Sequence, residues 1–305
     1  MKNKKPKALV LFSGGLDSRI VIKIMQELGI KTEAVYFRLP FPGYDNKLED
    51  FKKFLREQKV KLHIIDVSKK PLFNSYLKTI KKPEHGYGSA MNPCKDCKIF
   101  MFKQVKKLAK EIKADIISTG EVIDQRPMSQ KKKDLMLIEK KSRLKGKILR
   151  PLSAGLLAET IYEKNKLITR NQLYSIIGRT RKKQIQLAKK FKINYPDPAG
   201  GCILCEKNYS KKLKKIFEKR KIAPEDLKLI KYGRLFKKNS LIILGRHNQD
   251  NKALKKLSKN NHIIIPKKPG PTAVFFNKKD KPFVRKLIKA YSSKTDIENF
   301  ERYKV

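Results

Sequence analysis

The sequence predicts an α/β fold, a doubly wound parallel sheet followed by a smaller C-terminal α+β domain. Three observations carry this. Strand-like and helix-like stretches alternate from the N-terminus, which is how crossovers build a parallel sheet. The first strand runs straight into a glycine-bearing turn and a helix, an arrangement that sits at the carboxyl edge of such sheets. A glycine–proline break, YPDPAGG at Tyr195–Gly201, then precedes a change of pattern. The expected domains are 1–215 and 216–305, divided just past the second cysteine pair.

Ala8–Phe12 is an apolar run with the length of a buried strand. The helix after it carries Ile20, Ile24 and Leu28 on one face. Thr32–Phe37 and Lys61–Val67 read as the second and third strands, with a helix over Leu48–Gln58 between them. Lys81–Pro93 reads as a loop, Cys97–Ile112 as an amphipathic helix, and Ala114–Thr119 as the fourth strand, ending in Gly120. The edge loop Glu121–Gln130 follows. Asp134–Glu139 with Lys147–Arg150 suggests a hairpin; Leu156–Lys164 and Thr169–Phe191 suggest helices, the second broken at Gly178. Beyond residue 220, Leu227–Phe236, Ser240–Leu244, His262–Ile265 and Thr272–Phe276 read as short strands or turns around a helix, Asn251–Ser258.

The turn Ser13-Gly14-Gly15-Leu16-Asp17-Ser18 has the composition of a phosphate cradle. Glycines let main-chain N–H groups approach an anion and adopt positive φ, and the helix N-terminus adds a favourable field. Ser13 and Ser18 bring hydroxyl donors. Asp17 repels a bare phosphate, so its natural use is to hold Mg²⁺. The missing Gly-Lys-Ser/Thr ending argues against a Walker A loop.

Lys and Arg number 75 against 28 Asp and Glu, a net charge of +47. Such an excess points to polyanionic partners, nucleic acid first. No run of 18 apolar residues exists, and the basic N-terminus leads straight into the first strand. The expectation is a cytoplasmic protein with no membrane partner and no signal peptide, whose four cysteines are not structural disulfides.

Those cysteines form two CxxC pairs, Cys94/Cys97 and Cys202/Cys205. Spacing alone leaves three chemistries open: a structural zinc on thiolates, an iron–sulfur cluster, or a redox pair carrying a persulfide. A helix beginning after Pro93 is expected to lower the thiol pKa. Arg126 and Arg150, near the sheet edge, are candidates for RNA or ATP phosphate. His63 is expected to be a packed core residue, and His85, beside the cysteines, is the histidine to test.

SGGLDS after a first strand resembles the PP-loop of the ATP pyrophosphatase family. The resemblance implies an adenine nucleotide alpha hydrolase-like fold that splits ATP between its α and β phosphates and adenylates a carbonyl oxygen. Asn92–Lys98 (NPCKDCK), Gly120–Gln130 (GEVIDQRPMSQ), Leu149–Ser153 (LRPLS) and Asp197–Cys202 (DPAGGC) follow in order. Together they resemble, over about residues 7–215, a branch related to the tRNA thiouridine synthetases. That implies ATP-dependent thiolation of a tRNA base, with sulfur from free sulfide or a cysteine desulfurase system. ATP would lie on Ser13, Gly14, Gly15, Asp17 and Ser18, with its adenine near Tyr36, Phe37 and Gly120. In cluster-dependent members a CxxC and one later cysteine hold a [4Fe-4S] cluster; here those are Cys94, Cys97 and Cys202, with Asp17 the fourth catalytic residue. Two departures stand out. Asp124 occupies a position expected to be glycine, and Cys205 is an extra thiol able to close the cluster.

Gly245-Arg246-His247-Asn248 and Pro269-Gly270-Pro271-Thr272 resemble the NFACT-R RNA-binding module. The resemblance implies RNA contacts in the C-terminal domain, Arg246 among them. Other readings are a persulfide-based thiouridylase with zinc or no metal, an amide-forming PP-loop ligase on a small molecule, and a non-catalytic RNA-binding factor.

Overall fold

The computed structural model describes residues 5–44, 48–197, 202–219, 222–258 and 261–305. Pro198–Gly201, which precede Cys202 in the DPAGGC motif, lie outside the described residues. The chain divides into two compact units. One comprises Met1–Leu39, Gly43–Gly88 and Asn92–Gly201; the other Pro40–Pro42, Ser89–Met91 and Cys202–Val305. The division falls at 201/202 where the sequence suggests 215. Residues 202–219 group with the C-terminal unit because Tyr209 Oη donates to Leu227 O (2.7 Å) and Lys212 Nζ to Gly233 O (2.6 Å).

In the first unit the order is β1 (Lys7–Leu11), α1 (Leu16–Glu27), β2 (Lys31–Arg38), α2 (Leu48–Glu57), β3 (Lys61–Asp66), α3 (Leu72–Lys81), α4 (Cys94–Glu111), β4 (Ile116–Thr119), α5 (Lys132–Ser142), α6 (Ile161–Lys164) and α7 (Lys182–Lys190). The four strands form one parallel sheet in the order β3-β2-β1-β4. Strand side chains alternate between faces. Ala8, Val10 and Phe12 join a core with Ile20, Ile24 and Phe51 from α1 and α2. Leu9 and Leu11, facing the other way, are equally buried, as a parallel sheet covered on both faces requires. The order reverses between β1 and β4, so the switch point lies where β1 ends in Phe12-Ser13 and β4 in Thr119-Gly120.

The expected hairpin is absent. Asp134–Glu139 lies within α5, with Leu135 and Ile138 buried and Met136 60% exposed. That is a helical stripe, which a run of four apolar residues hides. Leu149 instead bridges Ser118 in parallel and carries the sheet one step past β4. Thr169–Phe191 is helical only in α7 and in a 3₁₀ turn at Arg170–Gln172; between them Gly178 N donates to Ile123 O (2.8 Å). Leu156–Lys164 reduces to a 3₁₀ turn at Ala154–Leu156 and the short α6. Helix α3, with Phe73, Tyr76 and Ile80 buried, falls in a stretch that the sequence pattern marks as neither strand nor helix.

The second unit runs α8 (Lys207–Lys219), α9 (Pro224–Leu229), β5 (Arg234–Lys237), β6 (Leu241–Leu244), α10 (Asn248–Leu257), β7 (His262–Ile264), β8 (Ala273–Phe275), α11 (Lys281–Ser293) and α12 (Glu298–Glu301). Its sheet is antiparallel, order β5-β6-β8-β7. Phe236, Ile242, Leu244 and Phe275 pack with Val284, Leu287 and Ile288 of α11. Leu227–Leu229 is helical, in α9, and not extended. Among the described residues no helix is long and apolar enough to cross a membrane.

Candidate nucleotide site and cysteine pairs

The turn between β1 and α1 is held from several sides. Gly14 has φ +75°, and a Cβ there would fall 1.7 Å from the Phe51 ring, so no side chain fits. Gly15 is different: at φ −81° it is the N-cap of α1 and needs no left-handed backbone. Ser18 Oγ donates to Gly15 O (3.0 Å) and lies 3.4 Å from Ser13 N and Ser13 Oγ. Arg19, 3% exposed, locks the turn from behind: Nε donates to Gly14 O and Nη1 to Asn194 O (2.8 Å each), and Nη2 pairs with Asp50. Its guanidinium also lies 4.6 Å from the centre of the Phe54 ring.

Gly120 closes the switch point. A Cβ there would lie 2.8 Å from the carbonyl carbon of Asp17 and 2.9 Å from Ser18 N, so β4 and the first turn of α1 meet main chain to main chain. The loop beyond Gly120 turns at Asp124, whose φ is +59°. Asp124, where glycine is expected, is a residue type that tolerates the left-handed region. Asp124 N donates to Gln130 O (2.9 Å), and Gln130 N to Arg126 O (3.0 Å).

Asp17 is the acidic side chain of the turn. Gln125 Nε2 donates to its Oδ2 (2.7 Å). Its Oδ1 is buried with no hydrogen-bond partner. Burial raises the carboxyl's pKa, opposed by the Gln125 bond, by the charges of Arg181 and Arg126, and least by Gln184. An orphaned, desolvated carboxylate oxygen is what a divalent cation completes, so the residues present fit Mg²⁺. Tyr36 and Phe37 fare differently. Both are buried, 5% and 4% exposed, and Tyr36 packs against Phe51 with its hydroxyl donating to Tyr44 O (3.0 Å). That removes their rings as open stacking faces for an adenine.

Arg150 is also withdrawn from any phosphate. It is 2% exposed, its Nε lies 3.1 Å from Glu121 Oε2, and its Nη1 pairs with Glu139. Glu121 reaches Lys98 as well (3.2 Å). Burial alone would raise the Glu121 pKa, but Lys98 and Arg150 hold it below the ordinary value. Arg126 stays exposed. Because Lys98 follows Cys97, the Glu121 pair ties the first turn of α4 to the loop that carries Gly120.

Helix α4 begins at Cys94, three residues earlier than the apolar spacing suggests. All four cysteines are thiols. Asn92 Nδ2 lies 3.4 Å from Cys94 Sγ, and Tyr76 Oη 3.3 Å from Cys97 Sγ. Burial pushes the Cys97 thiol up to about 11, against the lowering expected of a helix N-terminus; Tyr76 and Lys98 oppose it only in part. A protonated Cys97 is a poor free nucleophile, and a metal binding it must expel the proton. Cys202 and Cys205 bracket a 3₁₀ turn in the second unit, Cys205 N donating to Cys202 O (2.8 Å).

His63 lies in β3 with Nε2 2.6 Å from Glu33 Oε2. His85 Nδ1 is 3.0 Å from Asp96 Oδ1, and Glu84, His85 and Asp96 present ligand atoms within 4.8 Å of one another. Asp96 already accepts from the main-chain N–H groups of Glu84 and His85 (3.1 Å each), and Glu84 pairs with Lys141. The group fastens the loop before the cysteines. In the second unit the Arg246 guanidinium lies on buried Asp250 (Nε–Oδ2 2.7 Å) and is part exposed. A cleft of about 380 Å³ there is lined by Lys252, Lys255, Lys267 and Lys268 with Asn251 and Thr272.

A glycine turn with an unpartnered buried carboxylate lies at the switch point of a parallel sheet, the place where α/β proteins of this class bind their ligands. A family profile described as "ThiI: Thiamine biosynthesis protein (ThiI)" matches residues 4–190, and the chain belongs to that family. A "tRNA-specific 2-thiouridylase MnmA" of Sulfurimonas denitrificans is 32% identical over 123 residues, 38% of this chain and 35% of that protein. The protein of the same description from Campylobacter hominis is 32% identical over 125 residues, 37% and 31%. The chain thus spans about a third of the length of these curated relatives. A solved structure titled as a predicted subunit of tRNA methyltransferase from Methanocaldococcus jannaschii aligns over 72% of this chain and 91% of its own, with 18% identity and a TM-score of 0.39.

Proposed function

We propose that the protein is an ATP-dependent tRNA-thiolating enzyme. The observation that supports this most directly is the unpartnered Oδ1 of Asp17 in its glycine turn. In this reading the turn's N–H groups and the Ser13 and Ser18 hydroxyls bind the phosphates, and Asp17 holds Mg²⁺. A uridine carbonyl oxygen attacks the α-phosphorus and pyrophosphate leaves. Sulfur then adds at the same carbon, and AMP departs with the oxygen. The chain supplies position and charge, with Arg126 and Arg181 adding positive potential beside Asp17. Cys94, Cys97 and Cys202 would hold a [4Fe-4S] cluster, which when bound offers sulfide an iron. Cys205 is a fourth thiol for the same site, and free sulfide or a desulfurase system is the donor. Mass spectrometry of tRNA nucleosides from a deletion strain should show one thiolated uridine lost; an unchanged thionucleoside profile refutes the reading.

The C-terminal unit is proposed to hold the RNA, through the lysines of the 380 Å³ cleft. Each bound phosphate releases counterions, so affinity falls with salt. For the intact protein, tRNA affinity should drop by roughly tenfold or more between about 50 and 200 mM salt. Replacing Lys252, Lys255, Lys267 and Lys268 by Ala should weaken binding and flatten the log–log salt dependence by about one unit for each phosphate no longer bound. An unchanged slope in a filter-binding titration places the RNA elsewhere.

A further inference from the structure

A chain of two amides reaches Asp17 from α7. Gln184, fully buried, donates from Nε2 to Gln125 Oε1 (3.0 Å), and Gln125 Nε2 donates to Asp17 Oδ2 (2.7 Å). A glutamine can present either end of its amide, and its partners decide which. Gln125 can turn its NH₂ toward the carboxylate only if its oxygen finds a donor on the far side, and Gln184 is that donor. Turned the other way, Gln125 would set a carbonyl oxygen against the carboxylate. The two ends of the chain, Asp17 Oδ1 and Gln184 Oε1, are both buried acceptors without a hydrogen-bond partner.

We infer that Gln125 and Gln184 are positioning residues that pin Asp17 Oδ2 and so present Oδ1 to the divalent cation of the nucleotide site. The relay makes α7, whose sequence carries no recognisable motif, part of the metal site. The inference rests on the reading of Asp17 as the metal-binding carboxylate.

The test is a titration of the full-length protein with Mn²⁺ in the presence of ATP, read as loss of the free-ion paramagnetic resonance signal beyond the loss that the same ATP produces without protein. A hydrogen bond to a charged group has an effect large enough to read. Gln125→Met should weaken Mn²⁺ binding by about tenfold and Gln184→Met by about fivefold, with melting temperatures near that of the parent. Because Gln184 acts mainly through Gln125, its direct effect on the Asp17 carboxyl being the smallest of those named, the double variant should match Gln125→Met within about twofold. Should a Met variant fail to fold, the Leu variants at the same positions replace it in the cycle. Folded Gln184 variants that bind Mn²⁺ like the parent, or losses that add in the double variant, overturn the relay. A parent protein that binds no Mn²⁺ overturns the Asp17 reading itself, and the relay with it.

Discussion

Asp17→Ala should abolish the conversion of ATP to AMP and pyrophosphate, a loss of about 10³-fold or more, while the protein remains folded. The size follows from what is removed: a metal counter-charge on a phosphate reaction contributes several kcal/mol, and each 1.4 kcal/mol or so is tenfold in rate. The fold is spared because Asp17 is not a stabilising residue in the free protein. Burial raises its pKa, and Gln125, Arg181 and Arg126 offset this only in part. A carboxyl whose folded-state pKa is raised favours the fold at pH below its unfolded pKa, and that contribution is lost as pH rises through the folded value. Above that range the ionised group therefore opposes folding. Asp17→Asn, which removes the charge and keeps the shape, should melt no lower than the parent. Radiolabelled ATP resolved by thin-layer chromatography checks the product, and calorimetry checks the fold. ADP as the parent's nucleotide product would sink the proposed chemistry whatever the variants do.

The parallel sheet was legible because its signals are local: buried strands read as short apolar runs, and β1, β2 and β3 fall within a residue or so of expectation. The missed hairpin has a clear cause. Leu135-Met136-Leu137-Ile138 is compatible with either period until tertiary packing chooses, and the chain forms a helix that buries two of the four. The turn Ser13–Ser18 was legible because glycine, serine and aspartate in that order leave few alternatives. Its supports were not. Arg19, Gln125 and Gln184 are ordinary polar residues whose roles depend on partners far along the chain, such as Asn194 for Arg19 and Gln125 for Gln184. The same limit explains Arg150: a cation near a strand edge looks free in sequence, and only the packing of Glu121 and Glu139 around it withdraws it. Asp124 is the converse case: the sequence marks it as a departure, and its backbone takes the left-handed conformation that a glycine would favour.

Anaerobically purified protein should be brown, with about four irons per chain. Cys94→Ala, Cys97→Ala and Cys202→Ala should each lose the colour and tRNA thiolation together, a loss to background in both measurements. Cys205→Ala separates two forms of the proposal. With three protein ligands the colour persists and one iron stays open to sulfide; with four the variant bleaches and sulfur must reach the base another way. Zinc predicts something else again: a colourless protein whose four single variants all lose stability, because a structural zinc contributes folding energy directly. The Cys97 environment adds a condition. A thiol pushed up to about 11 has to lose its proton to become a ligand. Reconstitution with iron and sulfide should therefore be slower at about pH 6.5 than at about pH 8.5, and Tyr76→Phe, which removes the hydroxyl at 3.3 Å from Cys97 Sγ, should slow it further. A persulfide mechanism centred on Cys97 is disfavoured by that same protonation. A colourless, metal-free preparation that thiolates tRNA at full rate would overturn the cluster while leaving ATP-dependent thiolation standing, and the thiol to pursue would then be Cys94 or one of the second pair.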